Sequence, residues 1–261
     1  MTTGQPGFKD HFSRHAEDYA RRRPQYPQSL YDFLASLPAA RDAAWDCGAG
    51  NGQASLPLSR LFRFTLATDA SAPQIAQAGR LRSPGSPEGI LFSVARAEAA
   101  PLRAASMDLV TVAQALHWFD FPAFFAEVRR VGRPGSVFAA WAYGYCRIDP
   151  AVDRVYLRLY EDILGTAYWP PERAHIEAGY RSIPMPFPAL PAPDFTMEAE
   201  WDLGDLLGYL DTWSAVRRYR QEQGEDPLDL VREDLGRAWG ESGRRRKVAW
   251  PLMMLLGRIH S

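Results

Sequence analysis

Short apolar runs alternate with amphipathic segments from residue 43 to residue 143, and the two periods predict different elements. Ala43–Asp46, Arg63–Thr68, Ile90–Ala95, Met107–Ala113 and Ser136–Tyr143 read as short apolar strands. Between them, Gln53–Leu61, Pro73–Arg80 and Pro122–Val131 repeat apolar residues at helical spacing. Asp120, with Pro122 behind it, has the make-up of a helix start. Pro57 is tolerated in the first of these helices only if that helix begins near Gln53, so that the missing N–H falls in the first turn. Strands alternating with helices in this way predict a parallel sheet covered on both faces.

The flanks differ. Residues 9–22 carry Phe12, His15 or Ala16, and Tyr19 at helical spacing, and Pro24 stops that helix. Residues 27–37 start at Pro27 and end before Pro38, with Leu30, Phe33, Leu34 and Leu37 as the apolar stripe. After Gly144 the alternation ends. Residues 148–193 hold one or two helices and a proline-dense run, "PMPFPALPAPDF", read as an inserted lid and an extended linker. "FTMEAEWDL" (Phe195–Leu203) alternates and predicts a half-exposed strand. Helical stretches at Gly204–Gln223 and Asp226–Trp239 follow. "RRRK" (Arg244–Lys247) reads as a solvated turn before a last apolar strand.

Composition narrows the function classes. The chain has 261 residues, enough for one large α/β domain. Its net charge of -1 gives no basic face for nucleic acid. No apolar run approaches the ~18 residues that span a membrane, and "MTTGQPGFKDHF" has no apolar core, so a cytoplasmic protein is expected. Cys47 and Cys146 make neither a disulfide framework nor a metal knuckle and read as small buried side chains. No His, Cys and acid cluster has metal-ligand spacing, so no catalytic metal is expected.

The candidate chemistry sits in "AAWDCGAGNGQ" (Ala43–Gln53). Glycines on alternate positions let a backbone approach a ligand closely, and the helix that follows offers N–H donors. Asp69, about twenty residues after the loop, ends the next strand and suits the hydroxyls of a ribose. The dinucleotide fingerprint G-x-G-x-x-G fails at its third glycine, since Gln53 stands there and the glycine falls at Gly52. That disfavours a nicotinamide-dependent oxidoreductase.

With Asp46 ahead of Gly48, Gly50 and Gly52, the loop reads D-x-G-x-G-x-G and resembles the first motif of class I S-adenosylmethionine (SAM) methyltransferases. "ARAEAAPL" (Ala95–Leu102), "MDLVTVAQALHWFD" (Met107–Asp120) and "VRRVGRPGSVFAAWAY" (Val128–Tyr143) are similar to later segments of that class. "FSRHAEDYARRRPQYP" (Phe12–Pro27) and "DTWSAVRRYR" narrow the resemblance to the trans-aconitate methyltransferase-like branch. The resemblance implies a Rossmann-like α/β/α sandwich with a seven-stranded sheet, mostly parallel, whose last strand runs antiparallel. It implies one domain over residues 1–261: cofactor-covering helices in 1–38, a SAM-binding core in 40–146, a lid and acceptor insertion in 147–194, and a C-terminal part in 195–261. The implied reaction moves a methyl group from SAM to a carboxylate or hydroxyl oxygen of a small molecule, leaving S-adenosyl-L-homocysteine (SAH). Neither nucleic acid nor membrane is an expected partner, and a monomer is the default state. A SAM-binding protein without catalysis is the alternative.

The residue roles are carried over by position. Asp46, Gly48, Gly50 and Gly52 are implied to meet the methionine and ribose portions of SAM. Asp69, with Ala70 beside it, takes the ribose or else caps the helix begun by "DASAPQ". Ala113 and Gln114 end the fourth strand, where a ligand is expected; an amide structuring the turn fits Gln114 equally well. Tyr19 and Arg23 are implied to close over the cofactor, with Arg23 at the methionine carboxylate. The pattern departs at Arg96, where many relatives carry an acid for the adenine amino group, so the Ala97 backbone or Glu98 takes that task. His117 is the candidate catalytic residue, as a base for a hydroxyl acceptor or as a contact to the substrate. Trp118, Phe119, Trp141, Tyr143, Trp169 and Trp213 are candidates for an aromatic acceptor pocket.

Overall fold

The first strand, β1 (Ala43–Cys47), is buried at every residue, as a strand inside a parallel sheet must be. The computed structural model describes residues 24–80 and 89–259. The helix expected over residues 9–22 lies outside them. The sheet continues with β2 (Phe64–Asp69), β3 (Ile90–Val94), β4 (Met107–Ala113), β5 (Gly132–Tyr143), β6 (Thr196–Trp201) and β7 (Arg246–Arg258). Its order is β3-β2-β1-β4-β5-β7-β6. The strands β1 to β5 pair in parallel, while β7 runs antiparallel to both β5 and β6. This is the seven-stranded Rossmann-like arrangement expected, with the last strand reversed.

Successive side chains of β5 point to opposite faces and found two cores. Val137, Ala139 and Trp141 join the first, with Leu30 and Leu34 of helix α1 (Gln28–Ser36) and Leu58 of α2 (Ser55–Leu58). Phe138, Ala140 and Ala142 join the second, with Phe124, Phe125 and Val128 of α4 (Phe121–Val131). The helix α3 (Ala72–Arg80) lies between β2 and β3 in the chain. The Asp120 carboxylate accepts from the Ala123 N–H at 3.1 Å and caps α4 as expected.

The structure corrects several boundaries. In α1, Tyr31 and Ala35 turn inward, while Phe33 and Leu37 are only partly buried. The helix expected over Gln53–Leu61 shrinks to four residues. Pro57 has no N–H for the Gln53 carbonyl, and the Tyr31 hydroxyl donates to that carbonyl instead, at 3.5 Å. The strand β5 begins at Gly132, before Ser136, because its pairing with β4 slips between Met107 and Leu109.

The segment between β5 and β6 holds more helix than expected. It contains α5 (Pro150–Arg158), a π-helical turn (Leu159–Leu164), α6 (Gly165–Tyr168) and α7 (Arg173–Glu177). The stretch Gly204–Gln223 breaks at Trp213 into α8 (Leu203–Asp211) and α9 (Ser214–Gln223), and α10 (Asp229–Trp239) follows. Arg246 and Lys247 already belong to β7. Arg246 pairs with Asp149 and stacks on Trp239, so the basic run is only partly a solvated turn. Both cysteines are free and buried. No helix among the described residues is long and apolar enough to cross a membrane.

Candidate cofactor and acceptor site

The glycine loop leaves β1 at the carboxyl end of the parallel strands. Gly48, Gly50 and Gly52 all lie at positive φ, at 68°, 55° and 85°. At Gly48 close packing adds to this: a Cβ would lie 2.6 Å from Ala115 Cβ and 3.1 Å from the Phe119 ring. At Gly50 a Cβ would meet no atom of the described residues within 4 Å. The room above Gly50 is therefore open to a ligand. The loop is tied to β2 by two bonds: the Ala49 N–H donates to the Thr68 carbonyl at 2.9 Å, and the Gly50 N–H donates to Asp69 Oδ2 at 2.8 Å. Asp69 Oδ1 accepts from the Ser71 N–H at 2.8 Å. The carboxylate thus orders both the loop and the start of α3, and both it and Ala70 remain partly exposed.

Asp46 departs from the expectation of ligand contact. It has no exposed surface, and it accepts from Ser55 Oγ at 2.5 Å and from Thr111 Oγ1 at 2.9 Å. Burial raises its carboxyl to about 6. It holds the loop from beneath, between α2 and β4.

Glu98 is also engaged: Oε2 pairs with Arg96 Nε at 3.3 Å and Oε1 accepts from the Asp120 N–H at 3.3 Å. Ala97 beside it is buried. Tyr19 and Arg23 lie outside the described residues.

Past Ala113 the chain turns sharply. Gln114 takes a left-handed φ of 57°, rare for a residue with a side chain. Its amide clamps Tyr143, with Nε2 donating to the carbonyl at 3.0 Å and Oε1 accepting from the N–H at 2.9 Å. The turn-structuring role fits this amide. A 3₁₀ turn (Leu116–Trp118) follows and buries His117.

His117 Nδ1 lies 3.1 Å from the Tyr180 hydroxyl. Burial, with Arg173 and His175 adding repulsion, lowers the imidazole to about 3. Backbone amides of His117 and Leu116 also face the Tyr180 oxygen. The pair fixes the ring's orientation, and the imidazole tautomer sets whether Nδ1 donates to that hydroxyl or accepts from it.

A cleft with about 70 Å³ of enclosed space opens beyond this turn. Gln114, His117, Trp118 and Tyr143 form its floor, and Trp169 and Arg173 from the inserted segment wall it. Trp213 closes the far side. Four of the six aromatic candidates therefore meet here. Trp141 instead lies fully buried against the Tyr26 ring, and Phe119 packs on Gly48 and Phe124. Arg173, Tyr180 and Ser55 stand outside the segments that resemble the family, and Thr111, inside one of them, has no role assigned because its partner Asp46 lies 65 positions earlier. No group of three metal-ligating side chains occurs among the described residues.

Comparisons with known proteins identify the family. A family model described as a methyltransferase domain matches residues 45–140. A Dictyostelium discoideum protein named as a methyltransferase is 30% identical over 257 residues, covering 96% of this chain and 95% of its own. A solved structure from Anaeromyxobacter dehalogenans, described as a type II methyltransferase, is 47% identical with a TM-score of 0.83, covering 91% of this chain and 98% of its own. The methyltransferase gedG of Aspergillus terreus is 31% identical over 176 residues, and the match spans 61% of this chain and about half (52%) of that protein. The chain belongs to the methyltransferases, in their class I, S-adenosylmethionine-dependent group.

Proposed function

We propose that the protein methylates a small molecule held in the cleft between the strand ends and the inserted segment. One observation carries this reading. The turn from Gln114 to Phe119 has the glycine loop against one side, at Ala115 and Phe119, and the cleft against the other, at Gln114, His117 and Trp118. A cofactor over the loop and an acceptor in the cleft would meet across one short turn.

Bound SAM supplies an electrophilic methyl group on a sulfonium. Gly50 leaves room for it, with Gly48 and Gly52 shaping the loop. Asp69, partly exposed at the end of β2 beside the glycine loop, takes the ribose hydroxyls with Ala70 alongside. The Ala97 backbone meets adenine, since Glu98 is occupied by Arg96 and the turn before α4. Ala113 and the backbone of Gln114 border the reacting atoms. His117 contacts the acceptor. The aromatic walls exclude water and align the acceptor for in-line displacement. The segments expected from the sequence keep their roles: 1–38 as a cover with Tyr19 and Arg23, 40–146 as the cofactor core, 147–194 as lid, 195–261 as completion of the sheet. The acceptor oxygen is a carboxylate or a hydroxyl, and the setting is cytoplasmic.

Calorimetric titration with SAM, SAH and NADH in parallel tests the reading. Micromolar binding of SAM and SAH without NADH is expected, followed by methyl transfer to a small acceptor. No binding of SAM or SAH overturns it. Binding without transfer to any acceptor would turn it toward a non-catalytic SAM-binding protein.

A further inference from the structure

Among the described residues that line the cleft, Arg173 is the only charged one. Its guanidinium lies over the Trp169 ring at 4.3 Å and the Tyr160 ring at 5.1 Å, which fixes its plane. Nε donates to the Tyr160 hydroxyl at 2.6 Å, and that hydroxyl donates to Glu177 Oε1 at 2.6 Å. The guanidinium is thereby oriented, with the Glu177 carboxylate one hydroxyl away and not in direct contact. Among the described residues no carboxylate pairs with Arg173, and its two terminal nitrogens have no hydrogen-bond partner, although most other arginines with a close partner here sit in ion pairs. A stacked guanidinium with both terminal nitrogens available is built to take a planar anion through two parallel hydrogen bonds.

From this arrangement we infer that Arg173 anchors a carboxylate group of the methyl acceptor. The inference rests on the methyltransferase reading of the same cleft. One cation and no second basic side chain in the lining match a single negative charge better than the double charge of a phosphate monoester. His117, in the same lining, adds a neutral imidazole rather than a second cation. The aromatic walls suit an apolar remainder. Acceptors therefore carry a carboxylate at one end and an apolar body against Trp118, Trp169 and Trp213.

The three tryptophans provide the readout. In the presence of SAH, tryptophan fluorescence is titrated with a panel of acids, including phenylacetate, cinnamate and hexanoate, and with the matching neutral amides. Phenyl phosphate is titrated alongside. At least one acid is expected to bind about tenfold or more tighter than its amide, because a neutral amide brings no negative charge to the guanidinium fork. Phenyl phosphate is expected to bind more weakly than phenylacetate. Arg173→Gln is expected to abolish the preference for acids, and Arg173→Lys to retain part of it, since lysine keeps the charge but loses the fork. SAH affinity stays unchanged in both variants, which shows that they fold and separates this inference from the cofactor reading. If no acid binds more tightly than its amide, if phosphate binds more tightly than the acids, or if Arg173→Gln keeps the preference, the inference is wrong. Loss of SAH binding by the unsubstituted protein would instead sink the methyltransferase reading.

Discussion

Gln114 and Tyr143 hold each other by a pair of hydrogen bonds that tie the end of β4 to the end of β5. The pair takes the place of ladder bonds where the two strands part at the cleft. Gln114→Ala removes both bonds and leaves the Tyr143 N–H and carbonyl without their side-chain partner. Unfolding in urea should show a loss of about 1–3 kcal/mol. Gln114→Gly loses the same bonds but relieves the left-handed backbone, so it should fall between the two.

The buried Asp46 carboxyl is destabilising when ionised. Its folded value of about 6 lies above the unfolded 3.8, so the folded state binds the extra proton between those values. Stability from this group is full below about pH 4 and declines as pH rises toward about 6, by roughly 3 kcal/mol in all. Asp46→Asn carries no charge and keeps one acceptor oxygen, and its NH2 donates to whichever of the Ser55 and Thr111 hydroxyls turns to accept. It should raise the thermal midpoint above about pH 6 and lose that advantage at about pH 4, where the native carboxyl is protonated. A midpoint for Asp46→Asn below that of the native protein at neutral pH would show that the ionised carboxylate is what holds Ser55 and Thr111.

His117 has the opposite slope. Its folded value of about 3 lies below the unfolded 6.5, so the unfolded state binds the proton first. Stability from the neutral, buried ring is present above about pH 6.5 and is lost as pH falls toward about 3. His117→Gln should lose less stability than the native protein between about pH 7 and pH 4.5, as read from urea midpoints. Tyr180→Phe removes the partner of Nδ1. It should raise the KM for the acceptor several-fold and leave SAH affinity alone. A drop in SAH affinity of the same size would mean that Tyr180 supports the loop.

Gly50 and Gly48 separate ligand space from protein packing. Gly50→Ala puts a methyl into the open room above the loop at a backbone strain of about 1–2 kcal/mol. It should weaken SAM and SAH about tenfold or more while the protein stays folded. Gly48→Ala drives the methyl into Ala115 and should lower stability by more than Gly50→Ala does. Calorimetry and thermal melts on both variants check the contrast. Equal SAH affinity for Gly50→Ala and the native protein would remove the ligand from above the loop.

The strands and the glycine loop could be read from the chain because their signals are local. Met107–Ala113 is a mainly apolar run, broken by Asp108 and Thr111, and forms β4 over those same residues. The spacing of Gly48, Gly50 and Gly52 reports backbone conformation directly. The misread residues depend on partners far away. Asp46 faces Thr111 across the β1–β4 register, so a residue that looked like a ligand contact is buried by a strand 65 positions on. The length of α2 depends on Tyr31 taking the carbonyl that Pro57 leaves vacant. Arg173 looks like one surface arginine among many until Trp169 and Tyr160 fix its plane. Trp141 and Trp213 are alike in sequence, and only packing sends one to the core and one to the cleft.

The position of β7 sets an order of events during synthesis. It is the last of the strands to leave the ribosome, yet it lies between β5 and β6, and β6 has no other neighbour in the sheet. Until residues 246–258 emerge, the strands β1 to β5 can assemble as the chain appears, while β6 waits without an edge to join. Trp169, Arg173 and Trp213, which wall the cleft, all lie in the chain between β5 and β7. A nascent chain stalled before residue 246 would therefore present a finished glycine loop and an unwalled cleft. The walls of the cleft would be the last part of the molecule to form.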